Sequence, residues 1–414
     1  MPHTFIWIIS LLSIAGVIIR PFKFPEAVWA VSGAIILIIF GLITPADGLT
    51  GVLKGLDVYL FLTGMMLLAE SAREEKLFDW LAAHATKLSK GSANRLFILI
   101  YLVGTIVTIF LSNDATAVVL TPAVAAAMRA AKVEKPLPYL LICAFIANAA
   151  SFVLPISNPA NLVIYGSNMP PLMQWLPQYI LPSVVAIVIT FLLLRFTQRK
   201  ELHQKIETDI NIPELTQGGK TALYGIAATA IVLLIASAKN IQLGLPTAIA
   251  GIITTAIVII RARKNPVIIL KGVSWSVLPL VAGLFVIVEA LNTTGLTHTL
   301  TTFMNNSAAQ SVNNTVWGSG IIIAFTCNLM NNLPAGLIAG NVMQTAHVPE
   351  MVKSAVLIGV DLGPNLSITG SLATILWLVA LRREEQTVTA WTFIKLGAFI
   401  MTIALLCTIA SLYL

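Results

Sequence analysis

The sequence predicts an all-α polytopic membrane protein with two inverted-topology repeats, each containing a re-entrant helical hairpin and a broken transmembrane helix. Three observations support this prediction: the apolar composition, the distribution of Lys and Arg along the chain, and an internal similarity between its two halves.

The composition is that of a chain immersed in lipid. Of the 414 residues, 57% are hydrophobic and 10% are charged, and the mean hydropathy is +0.89, whereas about a quarter of the residues of a soluble domain are charged. Apolar runs such as Leu176–Phe196 and Phe393–Leu412 can cross a hydrocarbon core of about 30 Å as helices. Several other runs are too short to cross unaided, which predicts broken or re-entrant segments.

The basic residues predict the topology. Most of the 25 Lys and Arg residues cluster in six segments, at 20–23, 73–95, 129–135, 195–220, 261–271 and 382–395. The positive-inside rule places all six in the cytoplasm. Only Lys54, Lys239 and Lys353 then remain outside, and both termini are predicted outside.

The same rule predicts the first re-entrant hairpin. Arg95 and Arg129 lie on one side of the membrane, so the chain between them enters and leaves through the same face. Leu96–Leu111 is expected to descend, the chain to turn at Ser112–Thr116, and Val118–Met128 to return. Non-helical backbone at that depth needs protein or a water-filled cavity around it.

The two halves resemble each other in sequence. VYLFLTGMMLLAESA from Val58 aligns without gaps on VLPLVAGLFVIVEAL from Val277, and the same offset carries Asn113 onto Asn332. ISNPANLVIYG resembles DLGPNLSITG, with Asn161 opposite Asn365. The flanks of the second hairpin contain no Lys or Arg, so that hairpin is expected to open outside. Inverted repeats whose broken helices meet near the membrane midplane are a transporter architecture.

These observations divide the chain into three parts. Residues 1–195 form the N-terminal membrane repeat, with a hairpin at about 96–130 and a broken helix at about 136–170. Residues 196–220 form a cytoplasmic linker. Residues 221–414 form the C-terminal membrane repeat, with a hairpin at about 316–346 and a broken helix at about 351–381.

Short polar side chains at the predicted hairpin tips and helix breaks are the candidate substrate-binding residues. Together with unpaired backbone groups at helix ends, they can replace the hydration shell of a small polyhydroxylated solute. The alternative is that they bond helices to one another without any substrate. They are Asn113, Thr116, Ser157, Asn158, Asn161, Asn331, Asn332, Asn365, Ser367 and Ser371.

Two aspartates lie in the same segments. No Lys or Arg is predicted in the layer of Asp114 and Asp361, so protonation is the natural way to neutralise them. We therefore expect both to act as proton-coupling groups. The alternative role is that of capping carboxylates at helix N-termini.

The sequence predicts no catalytic residue, cofactor or metal site. There is no HExxH or GxSxG motif, and GGKT at Gly218–Thr221 lacks the earlier glycine of a phosphate loop. Cys143, Cys327 and Cys407 lack CxxC spacing. The basic residues are explained by the cytoplasmic loops, so no nucleic-acid partner is expected. The alternative outside the transporter class is an intramembrane enzyme, but the sequence shows no set of catalytic residues for one.

LMNNLPAGLIAG, followed by DLGPNLSITGSLATILWLVAL, resembles the arsenical-pump membrane proteins, the ArsB-type arsenite and antimonite efflux carriers of the ion transporter superfamily. FLSNDATAVVLTPAV resembles their first hairpin, and the resemblance extends over nearly the whole chain. The sequence departs from the family pattern at Val360, where some members have cysteine, at Asn365, where a lysine can follow DLGP, and in SNPAN. These departures leave related small solutes open as substrates.

The resemblance implies a proton-coupled exporter of arsenite or antimonite in the cytoplasmic (inner) membrane of a prokaryote, with a lipid bilayer as its surroundings and no cofactor. A cytoplasmic ATPase that energises such a carrier would be a separate subunit. Two alternatives of the same superfamily remain, a sodium- or proton-coupled carrier of a small anion or dicarboxylate and a sodium–proton antiporter.

Overall fold

The computed structural model describes residues 2–207 and 210–414, and within them the chain forms helices and no β-strand. One isolated bridge pairs Ser92 with Lys205. Six described helices are long and apolar enough to cross a membrane, or seven if the bent pair at 45–74 counts as one span. The predicted all-α polytopic class is confirmed.

The helices of the first half are α1 Pro2–Ile19, α2 Glu26–Ile39, α3 Pro45–Lys54, α4 Leu56–Glu74, α5 Leu77–Leu88, α6 Ala93–Phe110, α7 Asn113–Ala115, α8 Thr121–Ala130, α9 Leu137–Ala149, α10 Pro159–Tyr165 and α11 Leu172–Gln198. Those of the second half are α12 Gln217–Ala238, α13 Gly244–Ala262, α14 Pro266–Gly272, α15 Val277–Thr293, α16 Leu296–Gln310, α17 Val312–Met330, α18 Asn332–Thr345, α19 Glu350–Leu362, α20 Leu372–Arg383 and α21 Ala390–Ala410.

The elements of the two halves follow the same order. In each half, two helices precede a short helix, a long helix, an amphipathic helix, two helices joined at a sharp break, a broken helix and a final long helix. Ser92 caps α6 by accepting a hydrogen bond from the Arg95 N–H at 3.3 Å. Ser311, at the offset of 219, caps α17 by accepting one from the Asn314 N–H at 3.3 Å. The opposite orientation of the two halves in a membrane stays a prediction.

Helices of one half pack against their neighbours in both halves. α4 packs against α13, and α15, its counterpart, packs against α2. Glycine permits both close approaches: a Cβ atom at Gly64 would lie 2.2 Å from the carbonyl oxygen of Thr247, and one at Gly283 would lie 2.7 Å from the carbonyl carbon of Ala30. The aligned glycines Gly64 and Gly283 therefore have the same role, which is to let the two halves approach backbone to backbone.

In each half, the amphipathic helix packs against both helices of the pair that follows it. α5 contacts both α6 and α8, and α16 contacts both α17 and α18. At the base of the first pair, Ser92 bridges to Lys205, and the Ala131 carbonyl accepts a hydrogen bond from the Glu207 N–H at 3.0 Å. The start of α6 and the end of α8, which we call the two ends of the α6–α8 unit, thus both contact residues 205–207.

The tip of the α6–α8 unit is tighter than the sequence suggested. The helix is interrupted only at Leu111 and Ser112, whereas the expected turn ran from Ser112 to Thr116. A π-helical turn over Thr116–Leu120 then leads into α8. Pro122 follows this turn, and its missing N–H and bulky ring disfavour a regular α-helical turn before it.

The predicted linker is partly helical and partly packed. α11 extends to Gln198 and α12 begins at Gln217, so both helices enter the segment assigned to 196–220. Gln204 accepts a hydrogen bond from the Lys135 N–H at 3.0 Å and donates one to the Lys135 carbonyl at 3.1 Å. This part of the linker is therefore held against the loop between α8 and α9.

Candidate substrate-binding site

Four helices begin at one small cavity of about 30 Å³. They are α7, α10, α18 and α20, so two come from each half of the chain. The apolar part of the wall is formed by the first turns of α10, α18 and α20 and by side chains of α4 and α15. The polar side chains on its wall are Asn113, Asp114, Asn158, Asn332 and Ser371. We call this cavity the cradle.

Each of the four helices that begin at the cradle has a capped first turn. The side-chain oxygen of Ser112 accepts a hydrogen bond from the Ala115 N–H at 3.2 Å, and that of Asn158 accepts one from the Ala160 N–H at 3.1 Å. Asn331 and Ser371 cap α18 and α20 in the same way, at 3.3 Å and 3.1 Å. These caps define where each helix begins, and so they place the cradle.

Asn331 also makes the sharp turn between α17 and α18 possible. Its φ of 74° lies in the left-handed region, which Asn tolerates better than most residues. The chain can therefore stop α17 at Met330 and begin α18 at Asn332 with one residue between them.

The cradle is small. A buried water needs roughly 10–15 Å³ measured in this way, so the cradle holds two or three waters at most. A solute with several heavy atoms enters only if the four helix starts move apart. The site therefore requires relative movement of the two halves if it is to bind such a solute.

Asp114 stands between two cavities. It lies on the wall of the cradle and also on that of a second cavity of about 70 Å³, which runs along α4 to Glu70. No hydrogen bond or ion pair joins the Asp114 carboxylate to the described part of the chain. The carboxylate is thus left free for water, a proton or a bound solute.

Asp361 lies behind the cradle and is completely buried. Its Oδ1 accepts a hydrogen bond from Asn158 Nδ2 at 2.8 Å, while Oδ2 has no partner among the described residues. Asn158 thus contacts the cradle on one side and Asp361 on the other. This bond also joins the first half of the chain to the second.

The structure brings together part of the predicted site. Of the ten polar candidates, Asn113, Asn158, Asn332 and Ser371 line the cradle, and six do not. Thr116 bonds to the Thr108 hydroxyl at 2.8 Å, across the tip of the α6–α8 unit. Ser157 donates to the Ile109 carbonyl at 2.9 Å and so joins the start of α10 to the end of α6.

The other four candidates hold the helix breaks. Asn161 donates to the carbonyls of Ser151, Leu154 and Pro155, at 2.9 to 3.3 Å. Asn365 donates to the Phe145 carbonyl at 3.0 Å. Asn331 donates to the Thr369 carbonyl at 3.2 Å, and Ser367 donates to Asn328 Oδ1 at 2.7 Å. Broken helices leave unpaired carbonyls in an apolar interior. The three asparagines donate to backbone carbonyls near the breaks, and Ser367 donates to a side-chain amide.

Two asparagines that take part in this network were not among the predicted residues. Asn148 donates to Asn365 Oδ1 at 2.9 Å, and Asn328 donates to the Gly363 carbonyl at 2.9 Å. Asn148 is one amide in an otherwise apolar helix, LPYLLICAFIANA. That isolation is a signal that could have identified it.

Comparison with known proteins shows the family. A family model described as citrate transporter matches residues 7–360. The chain belongs to the citrate transporter family. It is 26% identical to the arsenical pump membrane protein of Escherichia coli (strain K12), covering 98% of this chain and 97% of that protein. It is also 26% identical to the putative arsenical pump membrane protein of Bacillus subtilis (strain 168), covering 95% of each.

The fold has a counterpart of known structure. The YdaH transporter of Alcanivorax borkumensis, described as having an unusual topology, matches with a TM-score of 0.56 and 14% identity, covering 88% of this chain and 86% of that one. This similarity concerns the fold alone. The family match and the apolar spans make the chain a multi-pass membrane transporter.

Proposed function

We propose that this member of the citrate transporter family exports trivalent arsenite or antimonite from the cytoplasm in exchange for protons. The observation that carries the proposal is the free carboxylate of Asp114 on the wall of the cradle, where helices of both halves begin. Relatives from Escherichia coli and Bacillus subtilis that cover nearly the whole chain are named arsenical pump membrane proteins.

The cradle suits an uncharged hydroxylated solute. Arsenous acid is a small triol at neutral pH, and the amides and hydroxyl on the cradle wall offer it both donors and acceptors. Cys143 and Cys327 are fully buried and are not part of that wall. Recognition through oxygen and nitrogen atoms is weaker than binding to thiolates, and weak recognition allows the solute to be released.

Two carboxylates provide a way to couple proton movement to solute transport. A proton on Asp114 removes a charge from the cradle wall, and a proton on Asp361 changes the group to which Asn158 is bonded. The proton on Asp361 therefore alters a contact between the halves. Movement of one broken-helix unit against the other would then open the cradle to alternate sides of the membrane.

The second candidate is a sodium- or proton-coupled carrier of a small anion or dicarboxylate. Two observations favour it: the description of the matching family as citrate transporter, and the N-termini of α18 and α20 at the cradle. Helix N-termini stabilise anions even where no Lys or Arg is present.

Transport into everted membrane vesicles separates these functions. We expect arsenite accumulation under an inside-acid pH gradient, its loss when an uncoupler is added, and its absence in Asp114→Asn. Asp57→Asn, a change at an acid on a different cavity, is the matched control. Sodium-dependent uptake of a labelled dicarboxylate without arsenite transport would support the second candidate. Sodium-driven proton movement without transport of either solute would indicate an antiporter.

The proposal includes the location and the partners. We place the carrier in the cytoplasmic membrane of a prokaryote with both termini outside, on the charge distribution of the loops. An ATPase that energises it would be a separate cytoplasmic subunit. Copurification from membranes with a chemical crosslinker tests for such a subunit.

A further inference from the structure

A second cavity connects Asp114 to another buried acid. This cavity of about 70 Å³ has four polar side chains on its wall, those of Asp114, Ser112, Ser274 and Glu70. At roughly 10–15 Å³ per water, it has room for several water molecules. The remainder of its wall is mainly apolar. It therefore joins the two carboxylates by a space that water can fill.

Glu70 is held at the end of this cavity. Its side chain is 6% exposed and accepts two hydrogen bonds from Arg73, from Nε at 2.8 Å and from Nη2 at 2.5 Å. Gly272 of α14 covers it so closely that a Cβ atom there would lie 1.6 Å from Glu70 Oε1. Arg73 is 43% exposed, so it links the buried carboxylate to water.

The charged groups around this pair belong to three neighbouring elements. Arg73 also pairs with Glu74 at 2.7 Å, and Asp79 of α5 faces the same guanidinium. Lys264, after α13, pairs with Glu75 at 3.1 Å. Lys271 of α14 is exposed. This basic face is the one that the positive-inside rule assigns to the cytoplasm.

The two halves differ at this point. Glu289 matches Glu70 at the offset of 219 and pairs with Lys54 of α3 at 2.7 Å. The position that matches Asp114 is Leu333. The first half therefore combines a tip carboxylate with a glutamate on the same cavity, and the second half has the glutamate alone.

We propose that Glu70 carries protons between Asp114 and cytoplasmic water. This inference rests on the proposed function, because it supplies the cytoplasmic branch of the proton path. Arg73 donates two hydrogen bonds to the Glu70 carboxylate. The O–H bond of protonated Asp114 breaks, its proton passes along water in the cavity, and an O–H bond forms on Glu70. Glu70 then releases the proton to bulk water and pairs again with Arg73, so no charge or proton is left over.

Time-resolved infrared spectroscopy tests the step without any transported solute. The protein is reconstituted in proteoliposomes with the cytoplasmic face outward, and the external pH is raised rapidly. The carboxyl band of Asp114 is assigned by its disappearance in Asp114→Asn. We expect Glu70→Gln to slow deprotonation of Asp114 by about a hundredfold, the lower range for a positioned proton-transfer group. Glu289→Gln, the matched control, should deprotonate at the wild-type rate.

Glu70→Asp keeps an acid at this position and should recover most of the rate, which a purely structural role would not predict. Deprotonation of Asp114 in Glu70→Gln at the wild-type rate would overturn the proposal, as would an Asp114 band that never responds to pH. If everted vesicles show no arsenite accumulation while Glu70→Gln still slows the infrared signal, the substrate assignment fails and the proton path stands.

Discussion

The bond between Asn158 and Asp361 joins the halves of the chain, and its strength reports whether Asp361 is ionised. Asn158 uses both ends of its amide: Oδ1 caps α10 through the Ala160 N–H, and Nδ2 donates to Asp361 at 2.8 Å. Replacing Asn158 with Ser keeps a good N-cap and removes the donor. Replacing it with Ala removes both.

The expected losses of unfolding free energy in these two variants follow from the contacts that each variant removes. A hydrogen bond to an ionised group contributes about 1.5–3 kcal/mol, whereas a bond between neutral groups in a membrane protein averages about 0.6 kcal/mol. An N-cap contributes about 1 kcal/mol. Asn158→Ser should therefore lower the free energy of unfolding by about 1.5–3 kcal/mol if Asp361 is a carboxylate, and Asn158→Ala by about 1 kcal/mol more.

The assay is reversible unfolding of the purified protein in mixed micelles, at several pH values and also in an Asp361→Asn background. In that background Asn158→Ser should cost only about 0.6 kcal/mol. In the wild-type background its cost should fall towards that value at a pH acid enough to protonate Asp361. An Asn158→Ser variant as stable as the wild type at every pH would refute the reasoning.

Three further predictions concern the carboxylate, the packing and the topology. Asp114→Asn should assemble normally and lose pH-gradient-driven export, and undiminished export would remove Asp114 from the mechanism. Gly64→Ala should lower the free energy of unfolding by about 1–3 kcal/mol or more, because its Cβ would overlap backbone atoms of α13. Gly318→Ala, where a Cβ meets nothing within 4 Å, should instead stabilise its helix by about 0.5–1 kcal/mol; equal effects would contradict the packing argument. Cysteines at Glu134 and Asn313, both exposed, should react with a membrane-impermeant reagent from opposite sides, and labelling from one side would exclude the inverted orientation.

Much of the fold could be predicted because it follows from local chemistry. The apolar runs predicted the all-α class, and Ser92 and Ser311 mark helix starts at the same offset. The sequence match between Gly64 and Gly283 corresponds to two equivalent close approaches of helices in the structure. The π-helical turn before Pro122 was missed because the hydrophobic pattern does not distinguish a π turn from an α turn.

The sequence by itself determined that this chain lies in a membrane, that its helices break at polar clusters, and that carboxylates lie in those clusters. Only the tertiary structure decided which of the polar side chains face a common cavity. Asn113 and Thr116 lie three residues apart, yet one lines the cradle and the other bonds to Thr108. Whether an amide faces a cavity or a carbonyl depends on the rotation of each helix and on the neighbours against which it packs, and these come from distant parts of the chain.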